Sequence, residues 1–400
     1  MLKPVCSDCG AEVSPYAICA CGGVAAFPAA APRVDPLGFK RTLRDRRASN
    51  DPLMRGGVWR MRELLPPIPA ASIVTLAEGN VPLYDSAPGA NYAGVGRLAY
   101  LHLGMNPTGS FKDLGMTVAV SAAKAAGARG VACASTGNTA SSMAAYAARA
   151  GMEAYALVPR GRISAAKLAQ MYDYGARIVE VDGSFDDAFV KLSHDDGDLA
   201  IVNSINPYRV EGQKCAAFVL LEQREWIVPD WVVLPGGNLG NASAFGKGFR
   251  EALALGLIDR LPRLAVAQAA GCAPFVTSWN EARDLTAVDP HTVATAIAIG
   301  NPKSWRKATR ELHASDGACV AVDDDAILAA KAQIGREGIG CEPASAASLA
   351  GTRALRADGT IAPDADVINV LTGHALKDTD AILRYHDLLE RREGRHAAVV

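Results

Sequence analysis

The sequence predicts an α/β protein built on parallel sheets with helices on both faces. Three observations carry that prediction. From about residue 95, short β-branched or apolar runs alternate with alanine-rich helical windows, the pattern of strand–helix–strand units. Two segments rich in glycine and small polar residues, 135–139 and 235–241, each follow a strand-like run and precede a helical window. The chain has 400 residues, 50% of them hydrophobic, which is enough for two domains with a core each.

The first element in chain order is a cysteine cluster. Cys6-x2-Cys9 and Cys19-x-Cys21 each end near glycine, at Gly10 and at Gly22 and Gly23. Glycine lets the backbone turn so that its N–H groups approach thiolate sulfur, and four thiolates suit the tetrahedral preference of Zn²⁺. A small zinc ribbon over residues 1–30 is expected, structural because cysteine supplies all four ligands. Four reduced thiols in a floppy N-terminus are the alternative. Ala25–Pro36, rich in Ala and Pro, reads as a linker, and the charged stretch around Arg41–Arg47 as a solvated helix face.

Lys112 ends the run Asn106-Pro107-Thr108-Gly109-Ser110-Phe111-Lys112. Pro107 and Gly109 make a turn, Ser110 is a candidate cap, and Leu114–Ala126 reads as helix, so the lysine stands at a helix entrance. There its amine can face a cleft and form a Schiff base. A solvated first-turn lysine is the bland alternative. Strand-like runs follow at 131–134, 154–158, 178–181, 199–202, 231–234, 264–267 and 366–371. Ser135-Thr136-Gly137-Asn138-Thr139 follows the first of these, so Asn138 and Thr139 would point into a cleft at the strand ends, or merely cap a helix. Near Pro207, Arg209 offers a planar fork of donors matched to phosphate oxygens, with Asn203 and Ser204 adding neutral hydrogen bonds; an exposed loop arginine is the alternative, which the loop alone favours. Pro235–Asn241 opens a helix near Ala242; its glycines allow close approach and the helix N-terminus supplies free N–H groups, an anion cradle, or are simply the structural glycines of a strand-to-helix turn. Its glycines match neither the P-loop nor the Rossmann spacing.

Composition excludes several classes. Net charge −1 and a pI near 6.7 give no basic footprint for nucleic acid. No apolar run reaches the ~18 residues of a membrane span, and the N-terminus lacks the apolar stretch of a signal peptide. Nine cysteines, five of them scattered singly, suit a reducing compartment, so a cytoplasmic location is expected.

The run around Lys112 resembles the cofactor-lysine motif of threonine synthases, in the fold type II group of pyridoxal phosphate enzymes. STGNT at 135–139, NSINPYR at 203–209, PGGNLGN at 235–241, ATAIAIGNPKSW at 294–305, EPASAA at 342–347 and TGHALKD at 372–378 are similar to other family segments, in family order. The resemblance implies two α/β domains with the cofactor between them, the large one from 31–114 and 206–400 and the small one from 115–205. It implies pyridoxal 5'-phosphate joined to Lys112, with its phosphate cradled by Gly236, Gly237, Asn238, Leu239, Gly240 and Asn241. Asn138 would meet the 3-hydroxyl oxygen of the cofactor and the Thr372 hydroxyl its pyridine nitrogen. Lys112 and Thr139 would be catalytic. Ser135, Thr136 and Thr139 would lie near the substrate carboxylate, and Asn203, Ser204 and Arg209 would hold the substrate phosphate. The implied reaction converts O-phospho-L-homoserine and water to L-threonine and phosphate, in a homodimer. Some threonine synthase-like proteins carry an N-terminal ribbon, which fits as well.

Val81, Leu103, Leu114, Ala140 and Ala298 stand where the family usually has Thr, Glu, Arg, Ser and Arg. These departures keep two other chemistries open: a cysteate synthase-like β-replacement on O-phosphoserine, and a serine/threonine dehydratase. A zinc-ribbon interaction module fused to an inactive pyridoxal fold is the non-enzymatic alternative. Retention of Lys112, Asn138 and Thr372 argues against it.

Overall fold

The computed structural model describes residues 3–29, 34–135, 137–159, 165–182, 198–383 and 385. In chain order its strands are β1 (Val5–Cys6), β2 (Ala25–Ala26), β3 (Leu83–Asp85), β4 (Arg97–His102), β5 (Gly130–Ala134), β6 (Glu153–Pro159), β7 (Arg177–Val181), β8 (Leu199–Ile201), β9 (Trp231–Pro235), β10 (Arg263–Ala269), β11 (Ala318–Val322) and β12 (Asp366–Leu371). One sheet has the order β11-β10-β9-β12-β4-β3 and is parallel except where β3 meets β4. A second, all-parallel sheet has the order β7-β6-β5-β8.

Strand β9 shows why the larger sheet is covered twice. Val232 and Leu234 join one core with Val266 and Ile368, while Trp231 and Val233 join another with Ala265, Ala267 and Val367. Side chains along a strand alternate between faces, so a strand that is apolar throughout needs helices on both. Helices Pro207–Gln223, Gly240–Ala254 and Trp305–Ala314 contribute to the first core, and Asp324–Arg336 and Pro343–Ala357 to the second. In the smaller sheet Val131 and Cys133 face Met116, Met143 and Tyr146, and Ala132 faces Leu157 and Ile201.

All seven expected strand runs are strands, whereas β1, β2, β3, β4 and β11 lie outside them. The alternative of a floppy N-terminus and the linker reading are both corrected in part. Val5 and Cys6 pair antiparallel with Ala26 and Ala25, and Phe27 is buried. The charged segment is helix Pro36–Arg47, capped by Asp35 and anchored by buried Phe39 and Leu43. Ser110 caps nothing: Phe111 holds the cap position of helix Lys112–Ala125, and the buried Ser110 hydroxyl has no partner.

Helix Lys112–Ala125 crosses helix Pro207–Gln223 at glycine. A Cβ on Gly212 would stand 1.9 Å from the Leu114 carbonyl oxygen, and one on Gly115 would stand 2.7 Å from that of Arg209. This close crossing carries Lys112 and Arg209 to the same place. Val81, Leu103 and Leu114 share the first core, and Ala140 is buried under the smaller sheet. Their apolar side chains therefore suit their positions, and only Ala298 among the five departures reaches the cleft.

Candidate active site

A cavity of about 1110 Å³ lies where the two sheets meet, and Lys112 lines it with Asn138, Arg209, Asn241 and Thr372. The lysine sits in the first turn of its helix, on a loop stitched to the carboxyl end of β12. Phe111 N–H donates to the Thr372 carbonyl at 2.9 Å, and His374 N–H to that of Gly109 at 2.9 Å. Asp113 fixes the turn from below, accepting from Thr108 N–H and Oγ1 at 2.7 Å each and from Ser142 at 2.6 Å. Burial pulls the Lys112 amine down to about 7, and the Arg209 cation adds to that against the Glu342 carboxylate. Its amine is therefore available unprotonated near neutrality.

The loop Pro235–Asn241 follows β9 at the cavity wall. Gly236 is required by packing, since a Cβ there would stand 2.5 Å from Val266 Cγ1. Leu239 adopts a left-handed φ of 63° and buries its side chain in the core. A left-handed residue just before a helix gathers successive N–H groups into a concavity for an anion, and the helix dipole adds to it. Asn241 is buried with both amide atoms unpartnered. Asn238 instead ties neighbouring loops, bonding to Ser204 and accepting from Lys303 N–H at 2.6 Å.

Asn138 and Thr139 open helix Asn138–Ala150 and both line the cavity; Gly137, not either of them, holds the cap position. Ser135 also lines it and accepts from Gly137 N–H at 3.2 Å. Thr136 lies outside the described residues. Thr372 is 3.1 Å from the Ser345 hydroxyl, which in turn accepts from Gly373 N–H.

Arg209 is 1% exposed. One guanidinium nitrogen reaches the Val202 carbonyl at 3.2 Å, while Nε and the other Nη have no partner among the described residues. Ser204 and Asn203 lie beside it on the cavity wall. The Asn203 amide is engaged on both sides, accepting from Ala134 N–H and donating to its carbonyl at 3.1 Å each. A buried cation with free donors is costly unless an anion completes it.

Two residues of the site went unassigned in the sequence. Glu342 precedes helix Pro343–Ala357, is buried, and accepts from Asn138 Nδ2 at 3.1 Å; burial pushes its carboxyl up to about 7. Lys377 reaches the Thr108 carbonyl at 3.2 Å and bonds to Gln170, bridging the rim between the two sheets. Both stand in quoted segments, EPASAA and TGHALKD, so their position was marked although their contacts were not.

The four N-terminal thiols also converge. Their Sγ atoms all lie within 4.8 Å of one another, with Cys6–Cys21 at 3.4 Å and Cys9–Cys19 at 3.7 Å. Ligands ~2.3 Å from a tetrahedral zinc stand about 3.8 Å apart, so the set fits that ion. A Cβ on Gly23 would stand 2.5 Å from Cys6 Sγ, which is why glycine follows the second pair.

A half-buried, cavity-lining lysine sharing that cavity with a helix-terminal anion cradle, where two largely parallel sheets meet, defines the class, and comparison with known proteins agrees. The pyridoxal-phosphate dependent enzyme family model matches residues 74–373. Threonine synthase of Methanocaldococcus jannaschii is 45% identical over 333 residues, covering 82% of each chain. Threonine synthase of Mycobacterium bovis is 46% identical over 318 residues, covering 78% of this chain and 85% of that one. The chain belongs to the pyridoxal-phosphate dependent enzymes and, among them, to the threonine synthase family. Solved structures of maize serine racemase and of a processed threonine deaminase from Solanum lycopersicum share the fold, at 21% and 20% identity. Each has a TM-score of 0.66; the first covers 88% of this chain and 98% of its own, the second 92% and 97%.

Proposed function

We propose that the protein converts O-phospho-L-homoserine and water to L-threonine and phosphate, using pyridoxal 5'-phosphate held on Lys112. The observation that carries this reading is the pairing, in one cavity, of a half-buried lysine lowered to about 7 with a buried arginine whose Nε and one Nη have no partner among the described residues. The loop Gly236–Asn241 would hold the cofactor phosphate through its N–H groups and the free Asn241 amide. Asn138 would meet the ring's 3-hydroxyl oxygen and Thr372 its nitrogen; a hydroxyl there leaves the nitrogen's protonation unforced. Bound in this way, the cofactor supplies a sink for the electrons released when the substrate loses its Cα proton.

The chain's own groups do the rest. Arg209, with Ser204 and Asn203, would grip the substrate phosphate; since the Asn203 amide already serves Ala134, Arg209 carries most of that grip. Ser135 and Thr139, beside a helix N-terminus where the helix dipole favours negative charge, would hold the substrate carboxylate, and Thr136 joins them by the resemblance alone. The Lys112 amine takes the proton from Cα and later returns one. A second proton leaves Cβ as phosphate departs from Cγ, one proton is delivered to Cγ to make the methyl group, and water adds at Cβ, giving its own proton to the departed phosphate. The proposal includes a structural zinc on Cys6, Cys9, Cys19 and Cys21, two α/β domains divided near residues 114 and 206, a homodimer, and a cytoplasmic location.

Assaying the purified protein against three substrate sets tests the reaction. O-phospho-L-homoserine alone should yield threonine and phosphate. Faster turnover of O-phosphoserine with sulfite, or of free threonine or serine to an oxo acid, would overturn it in favour of β-replacement or dehydration.

A further inference from the structure

The four-cysteine ribbon does not hang free of the cleft; it touches both of its walls. On the side of the larger sheet, Asp8 lies between Cys6 and Cys9 and pairs with Arg306 and Arg310 of helix Trp305–Ala314 at 3.2 Å each. That helix begins at the segment whose Lys303 N–H is held by Asn238, so its start belongs to the anion loop. On the other side, Tyr16 packs against the cores on both faces of the smaller sheet, among them Ala132, Leu157 and Val202. Between these contacts Ile18, one residue before Cys19, reaches the cavity itself. The base of the ribbon is anchored by Phe27, whose ring meets Tyr208, next to Arg209, at 4.8 Å, and whose carbonyl accepts from Lys247 at 2.9 Å.

Two short strands and a few turns cannot hold this shape through an apolar core, because the segment has almost none; cross-links through a metal are the usual substitute in so small a unit. We propose that the ribbon is a metal-dependent clasp on the substrate cleft. Zinc on Cys6, Cys9, Cys19 and Cys21 sets the relative position of Asp8, Tyr16 and Ile18, and through them ties the helix behind the anion loop to the smaller sheet at the cleft mouth. Metal occupancy therefore governs affinity for the phosphorylated ligand, while attachment of the cofactor to Lys112, deeper in the cavity, does not depend on it. The clasp rests on the proposed reaction only for the identity of its substrate.

The test uses the holoenzyme as purified and two variants. Cys9→Ser removes an exposed ligand, and Asp8→Asn leaves all four thiols but breaks the two arginine pairs. Four quantities are read: zinc per chain, cofactor absorbance, KM and kcat with O-phospho-L-homoserine, and the affinity for inorganic phosphate followed through the cofactor absorbance. Cys9→Ser should lose zinc, keep the absorbance, and raise KM and weaken phosphate binding by about five-fold or more, with kcat little changed. Asp8→Asn should keep zinc and show a smaller rise, about two- to five-fold, the worth of exposed pairs. Parent protein without bound zinc, or variants with the parent's KM and phosphate affinity, would overturn the clasp. Zinc-dependent phosphate binding in a protein that does not turn over O-phospho-L-homoserine would uphold the clasp and overturn the proposed reaction instead.

Discussion

Replacing Arg209 by leucine removes the group on which phosphate recognition is proposed to depend. Arg209 is 1% exposed and, among the described residues, its guanidinium bonds only to the Val202 carbonyl, with Nε and one Nη unpartnered there. Completed by a phosphate, those two donors would form charge-assisted hydrogen bonds worth about 1.5–3 kcal/mol. At about 1.4 kcal/mol per decade, kcat/KM for O-phospho-L-homoserine should fall by roughly ten- to hundred-fold. The cofactor absorbance should be unchanged, because the assigned cofactor groups lie elsewhere. The same burial makes a second expectation: in the ligand-free protein an under-paired interior cation is a cost, so the variant should melt no lower than its parent. Steady-state kinetics, a cofactor spectrum and a melting curve read all three. Equal turnover of the phosphorylated substrate by variant and parent, or loss of the cofactor with the arginine, would refute the reasoning.

Other outcomes follow from neighbouring features. Borohydride reduction of the holoenzyme should fix the cofactor label on Lys112 by peptide mapping, and Lys112→Ala should retain no covalent label; recovery on another lysine would defeat the assignment. Gly212→Ala drives a Cβ to within 1.9 Å of the Leu114 carbonyl, so about 1–3 kcal/mol of stability should be lost in denaturant titration, together with both cofactor and phosphate affinity. Glu342 titrates at about 7 in the fold against 4.5 ordinarily, so the native state holds the extra proton between those values. Its contribution is present below about pH 4.5 and lost as pH rises through 7. Cofactor-free Glu342→Gln should therefore gain stability over its parent above pH 7, by up to about 3 kcal/mol, and gain nothing near pH 4.5. A difference that does not vary with pH would disprove the shift.

Central strands such as β5 and β9 and the loops that follow them were legible because these strands are apolar on both faces and run into glycine and small polar residues. β11 was not: its sequence, Ala-Cys-Val-Ala-Val, lies among alanine-rich helical windows and has the same local composition. β4 carries Arg97, Tyr100 and His102 and breaks the apolar run, although all but Arg97 are buried. Ser110 looked like a cap by residue type, but the turn is held instead by Asp113 from inside the helix, a contact with Ser142 across 29 positions. The cradle, the lysine and the arginine could be read from their segments. Their convergence could not, since it depends on Gly115 and Gly212 letting two helices cross, and single glycines in helices carry no such signal alone. Asn203 was read as free to bind phosphate, yet its amide bridges Ala134, a tertiary bond that its local sequence does not mark.

The central claim is that phosphate leaves from Cγ by carbon–oxygen cleavage and that solvent water becomes the new hydroxyl at Cβ. Turnover of O-phospho-L-homoserine in water enriched with ¹⁸O, with mass spectrometry of both products, tests this most directly. The account predicts one ¹⁸O atom in the threonine side chain and none in the released phosphate. Label in the phosphate, with homoserine as the other product, would mean hydrolysis at phosphorus and would contradict the account.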